Sequence, residues 1–431
     1  VASAAVAPNP ARARCRPVEA PGLSASLGAR APEKSIDVDD DVGLPFAPEV
    51  GSGIPFEDGF AVGALEPTKD GMNAVVLVLS PALAAPKRID LGRVHGDVEP
   101  PLPSVAGGAL VVAVNDGAPH GSLLRLARVE DPAHGAAVVW GAEVSEGKDE
   151  SDAFALELGP KIGILVWDEW SGKDGHGVVK ATTFAGTDVS KTAAPVVLSG
   201  AQEDAENPVI AARPGGFWAA WIGNEKREPD KKRRTDKPPG PEAADVGPRW
   251  ITLVPLDESG KASGEPALVT RRDGRIIGFD LATLKDGSAL VAYREETGTG
   301  TAGEAHLVRA RPDGSTEARV IAEDEPSVDV PTLLVDDRGS PSGAEAWLAV
   351  GSDSDAARLV ALAGDGSALD DLAVEPSLGV GAPLAARGGK LFVARSRGRA
   401  VELSVFACEK GRHEDKPPAE PSAAPPEAEE P

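Results

Sequence analysis

The sequence predicts an all-β protein in which seven four-stranded antiparallel sheets stand in a ring, the last closed by an N-terminal strand. Three observations carry this. From Pro48 onward one unit recurs: strand, tight turn, apolar strand, variable loop, strand, turn, strand, acidic linker. Its apolar second strands start at Gly59, Ala109, Ile162, Phe217, Ala289, Glu345 and Leu391, at steps of 50, 53, 55, 72, 56 and 46 residues. Finally, no stretch sustains apolar spacing at i, i+3, i+4, i+7 with caps, so almost no helix is expected.

The clearest copy is Asn207 to Gly223, NPVIAARPGGFWAAWIG. Pro208 to Arg213 reads as a strand, Pro214-Gly215-Gly216 as the turn, and Phe217 to Ile222 as a strand apolar on both faces. Aromatic residues are only 4% of the 431, with one Tyr and one Met, so the core must be thin layers of Ala, Val and Leu between stacked sheets.

Taken in order, the chain opens with an arm, residues 1–33, rich in Pro, Arg, Ala and Gly. Ala5-Val6-Ala7 looks like the end of a removed signal peptide. Lys34 to Val38, KSIDV, is a short strand before the acidic Asp39-Asp40-Asp41. Third strands begin at Asn73, Ser122, Val178, Arg249, Ala305, Ala357 and Val401, and fourth strands at Lys87, Ala136, Ala194, Pro266, Ala318 and Asp371. The seventh copy lacks a fourth strand, and KSIDV is expected to supply it, which leaves no sheet edge open. The long step contains Asn224 to Pro248, read as a basic inserted loop. Residues 410–431 combine Pro, Ala and Glu and read as a disordered tail.

The repeat resembles seven-bladed β-propellers generally and, more loosely, exported bacterial propellers of the sialidase-like type, over residues 34–409. The turns PDGS at Pro312 and GDGS at Gly364 carry that likeness, although no copy has a complete Ser-x-Asp-x-Gly-x-x-Trp box. Sialidase-like catalysis would need an arginine cluster and a tyrosine nucleophile activated by a carboxylate. The single tyrosine, Tyr293, lies in ALVAYRE, and alternation puts Glu295 on its side of the strand. This is the one feature favouring an enzyme; the plainer expectation is an aromatic packed between blades.

Cys15 and Cys408 are the only cysteines, and the repeat register brings the two chain ends together, so a disulfide is expected there, with an oxidising compartment: secreted, periplasmic or cell surface. The net charge of −24 argues against nucleic acid as a partner. No apolar run reaches the roughly 20 residues that span a bilayer. A monomer is expected. The six histidines show no zinc-ligand spacing and read as exposed loop residues; no cofactor is expected beyond a weak Ca²⁺ at the acidic linkers.

Linkers between blades and loops between second and third strands emerge on one face, around the channel, and they are rich in acids, whereas the opposite face has short glycine turns. The expected binding residues there are Asp39, Asp40, Asp41, Asp97, Glu150, Asp168, Glu206 and Glu295, with Trp170 as an aromatic platform where its strand ends. The leading expectation is a non-catalytic binding or scaffold propeller using this acidic face for a protein, a glycan or a cation. The alternative is a glycan-active hydrolase or lyase, which two or more carboxylates gathered with arginine or tyrosine at the channel mouth would favour.

Overall fold

A computed structural model describes residues 14–28, 47–68, 71–96, 98–118, 121–145, 153–171, 176–226, 247–296, 302–326, 330–336, 338, 344–350, 358–373, 382–397 and 400–409. Within them the fold is a seven-bladed β-propeller, and its one helical element is a single 3₁₀ turn, Pro21–Leu23.

Each blade is an antiparallel sheet whose strands follow chain order outward from the axis. First strands begin at Glu49, Leu102, Phe154, Glu203, Ile276, Thr332 and Ala382 for blades 1 to 7, and each touches the first strand of the next blade, blade 7 to blade 1 included. The second strands run through the middle and are apolar on both faces because a neighbouring blade lies against each side. In blade 4, for instance, Phe217, Ala219 and Trp221 pack on blade 3, while Trp218, Ala220 and Ile222 pack on blade 5. Close approach selects glycine where one blade hands over to the next: a Cβ on Gly63 of blade 1 would lie 1.7 Å from the Pro101 carbonyl oxygen ahead of blade 2.

The hairpin at Asn207 to Gly223 forms as its sequence dictates, Ala212 pairing with Phe217 and Arg213 with Gly216. Gly215 takes φ +80° in the turn, a left-handed conformation open to glycine without strain. In the turns at Asp313-Gly314-Ser315 and Asp365-Gly366-Ser367 the aspartate accepts the serine N–H at 2.9 and 2.8 Å.

Ring closure follows the expected principle with a different strand. The outer edge of blade 7, Ala400–Glu409, pairs with Arg14–Pro17 and Ser24–Gly28. Lys34 to Val38 lies outside the described residues, as do residues 227–246 of the inserted loop and the tail from residue 410. Residues 14–28 carry too few branched residues for strand periodicity to show, and pairing with Ala400–Glu409 makes them strands. Cys15 stands opposite Cys408 in that pairing, with Cα atoms 4.0 Å apart, and the two are disulfide-bonded across 393 residues of sequence. Among the described residues no helix is long and apolar enough to cross a membrane.

Candidate functional site

On the linker face of blade 5, register builds a cluster that spacing along one strand could not show. The second strand, Ala289–Glu296, pairs with the third, Ala302–Ala310, so that Tyr293 faces His306 and Glu295 faces Glu304. Alternation then puts all four side chains on the side of the sheet that meets blade 4. The rings of Tyr293 and His306 stack at 4.8 Å with 8° between their planes. His306 Nε2 lies 3.1 Å from Glu304 Oε2 and 3.7 Å from Glu295 Oε2. Neither oxygen completes a hydrogen bond with it, so this buried ring nitrogen keeps its capacity to donate or accept a proton. The two carboxylates are each about 30% exposed, whereas Tyr293 is buried beneath them.

Burial, followed by the charges of Glu295 and Glu304, pushes the Tyr293 phenol up to about 12. A phenol so shifted stays protonated near neutral pH: it is a weaker acid than a free tyrosine and offers little phenolate.

Facing blade 5 from blade 4 is Arg249, which opens the third strand. It bonds Asn224 Oδ1 at 3.3 Å and pairs with Glu206. Burial lowers its pKa, as expected for a guanidinium partly removed from water. Its N–H donates to the Gly274 carbonyl at 2.8 Å, while Glu296 N–H donates to Arg275 O at 3.0 Å and the Arg275 guanidinium lies 3.7 Å from Glu296. The linker at residues 271–275 thus ties the two blades together beside the cluster.

Of the expected binding residues, Glu295 joins this cluster, and Glu206 pairs with Arg249 on the face of blade 4 turned to blade 5. Asp168 does not serve as a free ligand. It is buried, and its two oxygens accept Ala153 N–H at 2.9 Å and Asn207 N–H at 3.0 Å, clamping the start of blade 3 to the first strand of blade 4. Asn207 takes φ +53° there, in the bulge between Glu206 and Val209. Trp170 is 48% exposed at the end of its strand, whereas Trp167 on the same strand is buried. Asp39, Asp40, Asp41, Asp97 and Glu150 lie outside the described residues. Among the described residues no group of three or more His, Cys, Asp or Glu is placed to hold a metal ion.

The histidine expectation needs correction. His95 and His134 are exposed, but His176 and His306 sit within third strands and are largely buried. His306 and Glu304 are the residues that sequence reasoning missed. The available signal was register: aligning AHLVRAR against ALVAYRE as an antiparallel pair sets His306 opposite Tyr293.

No protein-family description matches the chain, and no curated protein matches it. Solved structures do. A polysaccharide lyase is 9% identical, covering 92% of this chain and 99% of its own, with a TM-score of 0.53. An α-L-arabinanase of Penicillium chrysogenum complexed with arabinobiose is 12% identical over 89% of this chain and 97% of its own, with a TM-score of 0.46. An ulvan lyase is 12% identical over 72% and 78%, with a TM-score of 0.44. At such identities the likeness is one of fold. It nonetheless corrects the leading expectation of a non-catalytic binding or scaffold propeller: the structure matched along nearly its whole length is a polysaccharide lyase, so this fold does not speak for binding alone.

Proposed function

We propose that this chain is a glycan-cleaving enzyme, a hydrolase or lyase, acting on the linker face where blades 4 and 5 meet. The observation that carries the reading is the Tyr293–His306 stack with the Glu295–Glu304 pair beside it. Both ways of cutting a glycosidic bond need a proton given to the leaving oxygen and a second group that takes a proton or meets the sugar carbon. Tyr293, kept neutral, is the donor. His306 Nε2, with its hydrogen-bonding capacity unspent, is the acceptor, and the flanking carboxylates stabilise the imidazolium formed when it takes the proton. Arg249 and Asn224, on the face of blade 4 turned to blade 5, offer polar groups for orienting the chain.

The looser likeness to sialidase-like enzymes would make Tyr293 a nucleophile. Its raised pKa leaves little phenolate near neutral pH, which weighs against that role.

The disulfide between Cys15 and Cys408 supports export to an oxidising compartment, where polymeric glycans are met. Trapping free thiols in cell fractions tests this, and finding both cysteines reduced in the native protein would count against it.

The deciding experiment incubates the purified chain with neutral and uronate-containing polysaccharides. New reducing ends report hydrolysis, and ultraviolet absorbance of an unsaturated product reports elimination. Cleavage by the native chain, lost in Tyr293→Phe and His306→Asn, is expected. Absence of cleavage across the panel, or full activity in both variants, would overturn the reading.

A further inference from the structure

We propose that a cavity between blades 3 and 4 binds one neutral, hydroxyl-rich sugar ring of a glycan chain whose neighbouring units reach the Tyr293–His306 cluster. The inference deepens the glycan-cleaving reading and rests on it for the second half of that statement. The cavity holds about 270 Å³, just below the usual range for small-molecule pockets and suited to a single ring. Gln202 of the linker entering blade 4 and Glu203, which opens its first strand, form one side, Trp221 and Thr252 the floor, and Pro266 and Leu268 the outer wall. Arg272 closes the remaining side, its guanidinium stacked over Trp250 at 4.7 Å.

The hydrogen bonds at this cavity select the ligand. Glu203 is already satisfied: Trp221 Nε1 donates to Oε2 at 3.1 Å, and Trp250 Nε1 and Thr252 Oγ1 each donate to Oε1 at 2.9 Å. Gly200 N–H lies 3.4 Å from Oε2. A carboxylate with its lone pairs so occupied has little left for coordinating a cation or an amine. Its negative charge nevertheless remains beneath the cavity and offsets that of Arg272, which disfavours phosphate and other strong anions. Among the described residues Arg272 forms no ion pair, and its stacking on Trp250 leaves the N–H donors in the guanidinium plane unspent. Leu268 is 43% exposed on a two-residue outer strand and with Pro266 gives an apolar wall. An apolar wall facing planar donors fits a sugar ring, which carries C–H groups on its faces and hydroxyls on its rim.

The position makes the cavity a subsite. Arg272 and Arg275 belong to the same linker, three residues apart and so within roughly 10 Å along the chain. One end of that linker closes the cavity, and the other abuts Glu296 and Arg249 beside the cluster. The cavity lies on the blade-3 side of blade 4 and the cluster on its blade-5 side, so a glycan that joins them passes over this linker.

The test uses the full chain, neutral arabinan-derived and xylan-derived oligosaccharides, and glucuronate-containing oligosaccharides as a contrast. Calorimetric titration of Arg272→Ala and Leu268→Asp should show neutral oligosaccharides binding roughly tenfold more weakly than to the native chain. Tyr293→Phe should bind them as the native chain does. On polymer, Arg272→Ala should raise KM by a similar factor and leave kcat unchanged, the pattern of a lost binding subsite. No binding of any neutral probe to the native chain, unaltered binding in both cavity variants, or binding confined to the glucuronate probes would overturn the proposal. Full activity in Tyr293→Phe would instead sink the assignment of the cleavage site while leaving the binding result to be judged alone.

Discussion

The ring of Tyr293 lies parallel to that of His306, 4.8 Å away on the next strand, with Glu295 and Glu304 paired one step closer to the strand ends. Both rings belong to third-and-second-strand backbone that neighbouring blades hold in place, so the two groups are fixed before any substrate arrives.

Removing the phenolic hydroxyl should therefore cost turnover more than stability. Tyr293→Phe keeps the stack and is expected to lower kcat by about 10² to 10⁴ while shifting the melting temperature only slightly. His306→Asn should give a comparable loss. Steady-state rates on the best polysaccharide, paired with thermal melts, check this; a rate loss matched by unfolding would assign the pair to structure.

The pH dependence of stability should reflect two acids on first strands. Burial raises Glu157 of blade 3 to about 7 and Asp280 of blade 5 to about 6, against ordinary values of 4.5 and 3.8. Each side chain keeps some accessible surface near the axis yet is surrounded by protein, and the hydrogen bonds from Leu281 and Leu333 to Asp280 only partly offset the desolvation. The folded chain thus holds protons that the unfolded chain has released, and its stability falls as pH rises from about 4 through about 7. On the acid side, the turn serines hold Asp313 and Asp365 below their usual range, a contribution lost as pH falls through those lowered values. A melting temperature a few degrees higher near about pH 5 than near about pH 8 is expected, with a shallower slope in Glu157→Gln. A flat profile would contradict the assignment.

Cutting the covalent closure should loosen the whole ring. Cys15→Ser with Cys408→Ser is expected to cost roughly 3 to 5 kcal/mol in the chain-entropy description, seen as a drop of several degrees in the melting temperature. Proteolysis should then begin at the strands of residues 14–28, since they are held by their pairing with Ala400–Glu409. An unchanged melt after complete reduction would show that strand pairing alone closes the ring.

Glu203 anchors blade 4 by accepting from two tryptophans and a threonine. Glu203→Ala would strand two buried indole N–H groups and should destabilise by about 2 to 5 kcal/mol, measured by denaturant titration. Gly223→Ala should mimic it, because a Cβ there would sit 2.1 Å from Glu203 Oε1. Tolerance of both changes would mean that the indoles find water.

The sequence by itself determined the scaffold. Period-two patterning, glycine turns and a step near 50 residues are local properties, and a ring of like units lets local signals add, so the blade count and the starts of the second, third and fourth strands could be read from it to within three residues. First-strand starts could not, that of blade 4 being Glu203 rather than Pro208. The joining of Cys15 to Cys408 followed from that same repeat register. What the tertiary structure alone decided is which side chains meet across strands and between blades. It set His306 against Tyr293, gave Asp168 to backbone N–H groups instead of a ligand, and closed the ring with residues 14–17 and 24–28, because pairing partners are chosen by register and by the packing of neighbouring blades, neither of which is written in the spacing of a single strand.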